Sequence, residues 1–222
     1  MTRVIAGTAG GRRLSVPAGR DTRPTSDRAR EGLFATVQAI RGPLAGASVL
    51  DLYAGSGAVG LEALSRGAAR AVLVEADPRA VRVIRANIAA LNLPGAHVIA
   101  GRVEPVLAKG PAAAVGRTLA PGDPEADPQA VPGDSDPGPE AVAGARFDVV
   151  FADPPYAMAA DAVTAVLTAL VQGGWLAPGA LVAVERSTRS GPLHWPGGYT
   201  EDRSRRYGEA TLWYGHASGA AD

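Results

Sequence analysis

Short apolar runs alternate with helical periodicity through most of this chain. Val49 to Tyr53, Ala71 to Val74, His97 to Ala100, Phe147 to Ala152 and Leu181 to Val184 each read as a short strand. Between them, Val81, Ile84, Ile88 and Leu91 share one helical face, as do Val163, Val166, Leu167 and Leu170. Strands buried on both sides and separated by helices predict a parallel sheet with helices on either face, an α/β fold of the Rossmann-like kind. Ahead of this core, Arg3 to Ala6 and Arg12 to Val16 read as two short strands around a glycine-rich turn. A loop follows, then a helix that begins at Ser26 or Asp27, either a competent N-cap, and runs to about Ile40 before Gly42-Pro43 stops it. The expected organisation is an N-terminal hairpin and helix over residues 1–44 and a larger unit over 45–222. Within the latter, the segment at about 110–145 is rich in Pro, Gly, Ala and Asp and has no sustained apolar period. It predicts a disordered insertion before the fourth core strand.

Composition narrows the picture. A chain of 222 residues has room for one substantial core. It has no cysteine and only three histidines, His97, His194 and His216, so no metal centre is expected. No apolar run approaches the roughly 18 residues that cross a bilayer, and the first residues lack the apolar core of a secretion signal, so a cytoplasmic location is expected. The formal net charge of zero conceals a segregation of sign. Eight arginines lie between Arg3 and Arg41 against Asp21, Asp27 and Glu31, and Arg186, Arg189, Arg203, Arg205 and Arg206 enrich the C-terminal part. The compensating acids concentrate between Pro121 and Glu140, where there is no Lys or Arg.

The first candidate chemistry lies where the Val49 strand runs into Gly55, Gly57 and Gly60. Glycines there let a ligand lie against the main chain, and their spacing alone also suits a dinucleotide. Asp51 discriminates: a carboxylate at the strand's end suits the cationic ammonium of S-adenosylmethionine and would repel a pyrophosphate. Glu75 ends the next strand, where an acid accepts the two hydroxyls of a ribose, and Asp77 is positioned to cap the helix opening at Pro78.

The second lies at Asp153-Pro154-Pro155-Tyr156, delivered by the Phe147 strand to the edge of the sheet where ligands of such folds bind. Two prolines fix the backbone and remove two N–H donors, so the Asp153 carboxylate and the Pro154 carbonyl form a cluster of acceptors suited to an amino group. An exocyclic amine of guanine, adenine or cytosine is a poor nucleophile because its lone pair is delocalised. Acceptors holding its hydrogens aim that lone pair at a methyl group on sulfonium, and Tyr156 offers a face for a splayed-out base. Asp148, at the start of the same strand, reads as structural.

These residues resemble the RsmD family of bacterial 16S rRNA guanine-N2 methyltransferases. The resemblance rests on Arg3-Val4-Ile5-Ala6-Gly7, Gly11-Arg12-Arg13-Leu14, Arg23-Pro24-Thr25-Ser26-Asp27-Arg28-Ala29-Arg30-Glu31, the glycine loop, the Asp153 tetrad and Arg206-Tyr207-Gly208-Glu209. It implies a class I S-adenosylmethionine methyltransferase fold, with a seven-stranded, mostly parallel sheet whose reversed last strand corresponds to Glu209 to Gly215. It implies S-adenosylmethionine as cofactor and a monomer acting on a guanine of the 966 type in 16S rRNA of the small ribosomal subunit. The candidate cofactor residues are Asp51, Tyr53, Ala54, Gly55, Gly57, Glu75, Ala76, Arg102 and Val103. The candidate catalytic residues are Asp153, Pro154 and Tyr156, and Arg12, Arg13, Arg23, Arg28 and Arg30 are expected to meet RNA phosphates. In one departure, Arg102 stands where many such enzymes place an acid against the cofactor adenine. Adenine-N6 methylation by the same tetrad, a non-catalytic RNA-binding factor and a dinucleotide oxidoreductase remain the alternatives.

Overall fold

A computed structural model describes residues 2–17, 27–116 and 146–218. The N-terminal pair β1 (Thr2–Arg3) and β2 (Arg13–Leu14) is antiparallel and precedes α1 (Asp27–Arg41). The core then runs β3 (Ser48–Leu52), α2 (Ala58–Ser65), β4 (Arg70–Glu75), α3 (Pro78–Leu91), β5 (Ala96–Ala100), α4 (Val103–Ala108) and α5 (Gly110–Gly116). It continues with β6 (Phe147–Ala152), α6 (Ala160–Gln172), β7 (Leu176–Ser187), β8 (Tyr199–Tyr207) and β9 (Ala210–Ala217). Seven strands form one sheet in the order β5-β4-β3-β6-β7-β9-β8. Strands β3 to β7 pair in parallel, and β9 runs antiparallel to both its neighbours. Helices α1 to α3 pack one face, through residues such as Phe34, Leu61 and Ile84, and α4 and α6 pack the other, through Leu107, Val166 and Leu170. No helix among the described residues is long and apolar enough to cross a membrane.

The apolar runs locate five strands, and β6 has the expected bounds. Strand β7 is longer than its apolar run because Pro178-Gly179 falls at a register shift against β6, while the polar Glu185 to Ser187 continue the ladder with β9. Strand β8 escapes the pattern because Thr200 to Arg206 are exposed and carry no alternation. The reversed strand implied by the family resemblance is β9; it lies inside the sheet, with β8 at the edge. Helix α5 extends to Gly116, so helical structure enters the segment expected to be irregular from about Gly110. The acidic stretch from Pro121 to Glu140, the Ser26 cap and Arg23 lie outside the described residues.

The N-terminal strands are two residues each, shorter than the hydrophobic pattern predicts, because the chain between them pairs with α2 instead. Glu62, fully buried, accepts hydrogen bonds from Ile5 N (2.6 Å) and Ala6 N (3.0 Å) and pairs with Arg66 Nε at 2.7 Å. Ser65 Oγ receives Ala9 N at 2.9 Å and donates to the Ala6 carbonyl at 2.6 Å. Arg30, also fully buried, stands 4.0 Å from Glu62 and bonds Asp27 and the Arg3 carbonyl. Glu62→Ala strands two amides and a buried guanidinium, and is expected to cost about 3 to 5 kcal/mol. Denaturant unfolding measures that loss, and faster limited proteolysis within residues 2–17 is expected to accompany it.

Candidate active site

At the carboxyl end of β3 the chain turns sharply into α2. Tyr53 and Gly55 both adopt the left-handed region, at φ 61° and 59°. A Cβ on Gly55 would meet nothing closer than the Tyr53 carbonyl at 4.0 Å, so its backbone faces open space. The other two glycines serve packing. A Cβ on Gly57 would stand 3.0 Å from Leu73 and 3.3 Å from Ile84, and one on Gly60 2.9 Å from Leu73. Gly57 therefore does not line the cleft as the spacing predicted; it lets α2 start close against β4.

Asp51 is 4% exposed, and its Oδ2 accepts Gly60 N at 2.9 Å, tying the strand end to the first turn of the helix. Burial raises its pKa to about 7; the Gly60 amide opposes the shift and Glu75 adds to it. Glu75 closes the loop from the other side. Its Oε2 accepts Gly55 N at 2.8 Å, and its Oε1 accepts Ala76 N and Asp77 N, both at 2.8 Å. Oε1 is thereby fully engaged, and Oε2 keeps a second lone pair with which to receive a hydroxyl. Asp77 caps α3 through Arg79 N at 2.8 Å, as the sequence predicts.

Strand β6 pairs with β3, Ala152 opposite Leu52, so Asp153 emerges beside the glycine loop, its amide bonded to the Leu52 carbonyl at 3.3 Å. Pro154 is buried and Pro155 exposed; a turn follows in which Met158 N bonds the Pro155 carbonyl at 2.8 Å. Tyr156 is 46% exposed, and its hydroxyl donates to Glu185 Oε1 on β7 at 3.4 Å. Asp148 is structural, receiving Ser48 N at 2.8 Å.

A cleft of about 710 Å3 joins these groups. Asp51, Tyr53, Ala54, Gly55, Glu75, Ala76, Arg102 and Val103 line it, together with Asp153, Pro154 and Tyr156. Val16 and Pro17 also line it, carried there by the docked hairpin, as does Met158, whose sulfur stands 3.8 Å from the Tyr53 hydroxyl. The Arg102 side chain is 79% exposed and 4.0 Å from Glu104, another lining residue. An acid therefore stands two positions beyond Arg102, in the first turn of α4, among the residues that line the cleft.

The arginines divide. Arg30 is wholly buried against Asp27 and Glu62, and its place among RNA-contacting candidates is corrected: it holds α1 to the hairpin. Arg12 is also committed, donating to the Leu91 (2.9 Å) and Ala90 carbonyls at the end of α3, where a cation suits unsatisfied acceptors. Arg13 and Arg28 are exposed.

An open parallel sheet with a reversed strand, and a cleft at its carboxyl edge holding the glycine loop and the Asp153 tetrad, define a class I methyltransferase fold. A family described as conserved hypothetical protein 95 matches residues 2–114 and 134–216. The chain is 31% identical to ribosomal RNA small subunit methyltransferase D of Escherichia coli strain K12, over 99% of this chain and 93% of that one. The solved structure of the Escherichia coli protein yhhF superposes with a TM-score of 0.73 at 29% identity, covering 97% of each chain. An RNA methyltransferase from Salinibacter ruber, solved with S-adenosyl-L-homocysteine, shares the fold at a TM-score of 0.55 and 15% identity, covering 90% of this chain and 96% of that one. The chain belongs to the RsmD family, that of ribosomal RNA small subunit methyltransferase D.

The sign of the Asp51 shift makes a prediction. A carboxyl whose folded pKa lies above its unfolded value binds more protons in the folded state between about pH 4 and 7, so stability falls as pH rises through that window. At about 1.4 kcal/mol per pKa unit, the fall is on the order of 4 kcal/mol. Asp51→Asn keeps an acceptor for Gly60 N and removes the titration. Thermal unfolding of the variant is expected to be less sensitive to pH between 4 and 7 than that of the wild type.

Proposed function

We propose that this member of the RsmD family methylates the exocyclic N2 amine of a guanine in 16S rRNA of the small ribosomal subunit, with S-adenosylmethionine as methyl donor. The observation that carries the reading is that Asp153, Pro154 and Tyr156 open into the same cleft as Asp51, Gly55 and Glu75, at the ends of three neighbouring parallel strands.

The donor set fits the cofactor. Asp51 offers a carboxylate to the methionyl ammonium, the bare backbone at Gly55 makes room for the chain between, and Glu75 receives a ribose hydroxyl at Oε2. Val103 and Glu104, with the exposed Arg102 beside them, flank the adenine end. The bound cofactor supplies a methyl group on a sulfonium, activated for direct displacement. The chain's task is then to present the nucleophile. The Asp153 carboxylate and the Pro154 carbonyl accept the two amine hydrogens, which favours a pyramidal nitrogen and directs its lone pair across the cleft. Tyr156 stacks the extruded base, a contact worth about 1 to 3 kcal/mol. Its hydroxyl bond to Glu185 keeps the ring from swinging away. Val16 and Pro17 narrow the cleft opposite, and Arg13 and Arg28 remain available for phosphates.

Asp153→Ala is expected to lower kcat by about 100-fold or more, with affinity for S-adenosylhomocysteine in calorimetry changed little. Nucleoside mass spectrometry of small subunits lacking the modification, after incubation with labelled cofactor, is expected to return N2-methylguanosine. Recovery of N6-methyladenosine instead would overturn the choice of base. Because a cation beside Asp51 favours its charged form, cofactor affinity is expected to rise with pH up to about 7 and then level off; Asp51→Asn is expected to flatten and weaken that profile.

A further inference from the structure

Strand β8 and helix α1 enclose a second hollow, a groove of about 430 Å3 walled by Gly32, Ala35 and Ala39 on the helix and by Arg203, Arg205 and Arg206 on the strand. Small residues keep the helical wall low. Tyr207 closes the end of the groove, so near the helix that a Cβ on Gly32 would lie 2.3 Å from its hydroxyl oxygen. The acids of the strand, Glu201 and Asp202, sit at its beginning, and Asp202 is occupied by Arg203 at 2.7 Å and His216 at 3.4 Å. Arg206 is anchored by its Nε to the Gly208 carbonyl at 3.0 Å, and Arg205 forms no ion pair among the described residues.

The position of the groove follows from strand direction. Strands β7 and β8 are both antiparallel to β9, hence parallel to each other, so the arginine end of β8 lies on the edge where β3 and β6 deliver the candidate site. Arg205 pairs with Leu212, which pairs with Glu185, the acceptor of the Tyr156 hydroxyl. Two strand spacings, roughly 10 Å, separate Arg205 from Glu185.

We propose that this groove holds the sugar-phosphate backbone of the RNA strand flanking the target guanine. Guanidinium forks match phosphate oxygens, no acidic residue among those described lines the groove, and the low helical wall lets a backbone lie along it. The proposal rests on the rRNA reading above. It also supplies a phosphate contact that the buried Arg30 does not.

The test uses the full chain and naked 16S rRNA, with affinity measured across a salt series. For Arg203→Ala/Arg205→Ala, which removes the two arginines on the α1 side of the strand, binding is expected to weaken and the slope of log affinity against log salt to become shallower by about 1.4, at about 0.7 per phosphate contact on a single strand. Cofactor affinity and melting temperature are expected to stay at wild-type values, and Arg203→Lys/Arg205→Lys is expected to restore the slope. Arg82→Ala, which removes a charge from the exposed side of α3, is expected to leave the slope unchanged. A wild-type slope in the double alanine variant overturns the proposal. So does loss of activity on assembled subunits with rRNA affinity intact, which would assign the groove to an acidic protein surface. Failure of the rRNA reading looks different: the wild type itself would then show no salt-dependent affinity for 16S rRNA.

Discussion

Glu62 is a carboxylate shut away from water, and so it must be matched in full by the groups around it. Two amides of the N-terminal segment, Arg66 on its own helix and Arg30 on α1 meet that requirement. Burial makes the match obligatory: removing one side leaves an uncompensated charge or unpaired amides, at a cost that mere contact area would not impose. The consequence is positional. α2, which springs from the glycine loop, becomes the platform to which the hairpin and α1 are fastened. Val16 and Pro17 reach the cleft because Ser15 before them exchanges two hydrogen bonds with Asn87 of α3, at 2.9 and 3.0 Å, and the groove beside β8 exists because α1 is held over the sheet.

The candidate site obeys a related rule at smaller scale. Asp51 and Glu75 each take hydrogen bonds from the loop they adjoin, Gly60 in one case and Gly55, Ala76 and Asp77 in the other. Acceptors used in this way hold the backbone in its sharp turn before any ligand arrives, and both residues line the cleft. Burial makes the charged form of Asp51 costly, so a cationic partner gains more there than it would at the surface. The acceptors of the Asp153 tetrad come from the neighbouring strand end, and the parallel pairing of β3 with β6 sets their separation from the loop. Preorganisation of both halves is therefore a property of the sheet register.

Charge follows function only after folding has sorted it. The arginine-dense N-terminal segment looks like an RNA footprint, yet Arg30 is an internal brace and Arg12 caps a helix. Exposed cations gather also on β8, a strand without hydrophobic signature. A basic segment in sequence and a basic surface in space are different objects, because a guanidinium satisfies buried carboxylates and helix ends as readily as phosphates.

The chain by itself determined the α/β core, since strands buried on both faces and amphipathic helices leave periodicities of their own. Asp51, Gly55, Glu75 and Asp153 to Tyr156 were legible too, because each lies at a strand end, where a polar residue after an apolar run stands out. What only the tertiary structure decided has no local signature. Strand β8 is exposed along most of its length, so nothing in its side-chain pattern records its pairing with β9. Gly57 belongs to packing because Leu73 and Ile84, remote in sequence, occupy its open side. Glu104 reaches the cleft through the turn of α4, and Val16 and Pro17 through the Ser15 bonds to Asn87. Arg30 shares a helix turn with Arg28, yet one faces protein and the other solvent; which arginine meets which was fixed by burial, and burial is a property of the folded whole.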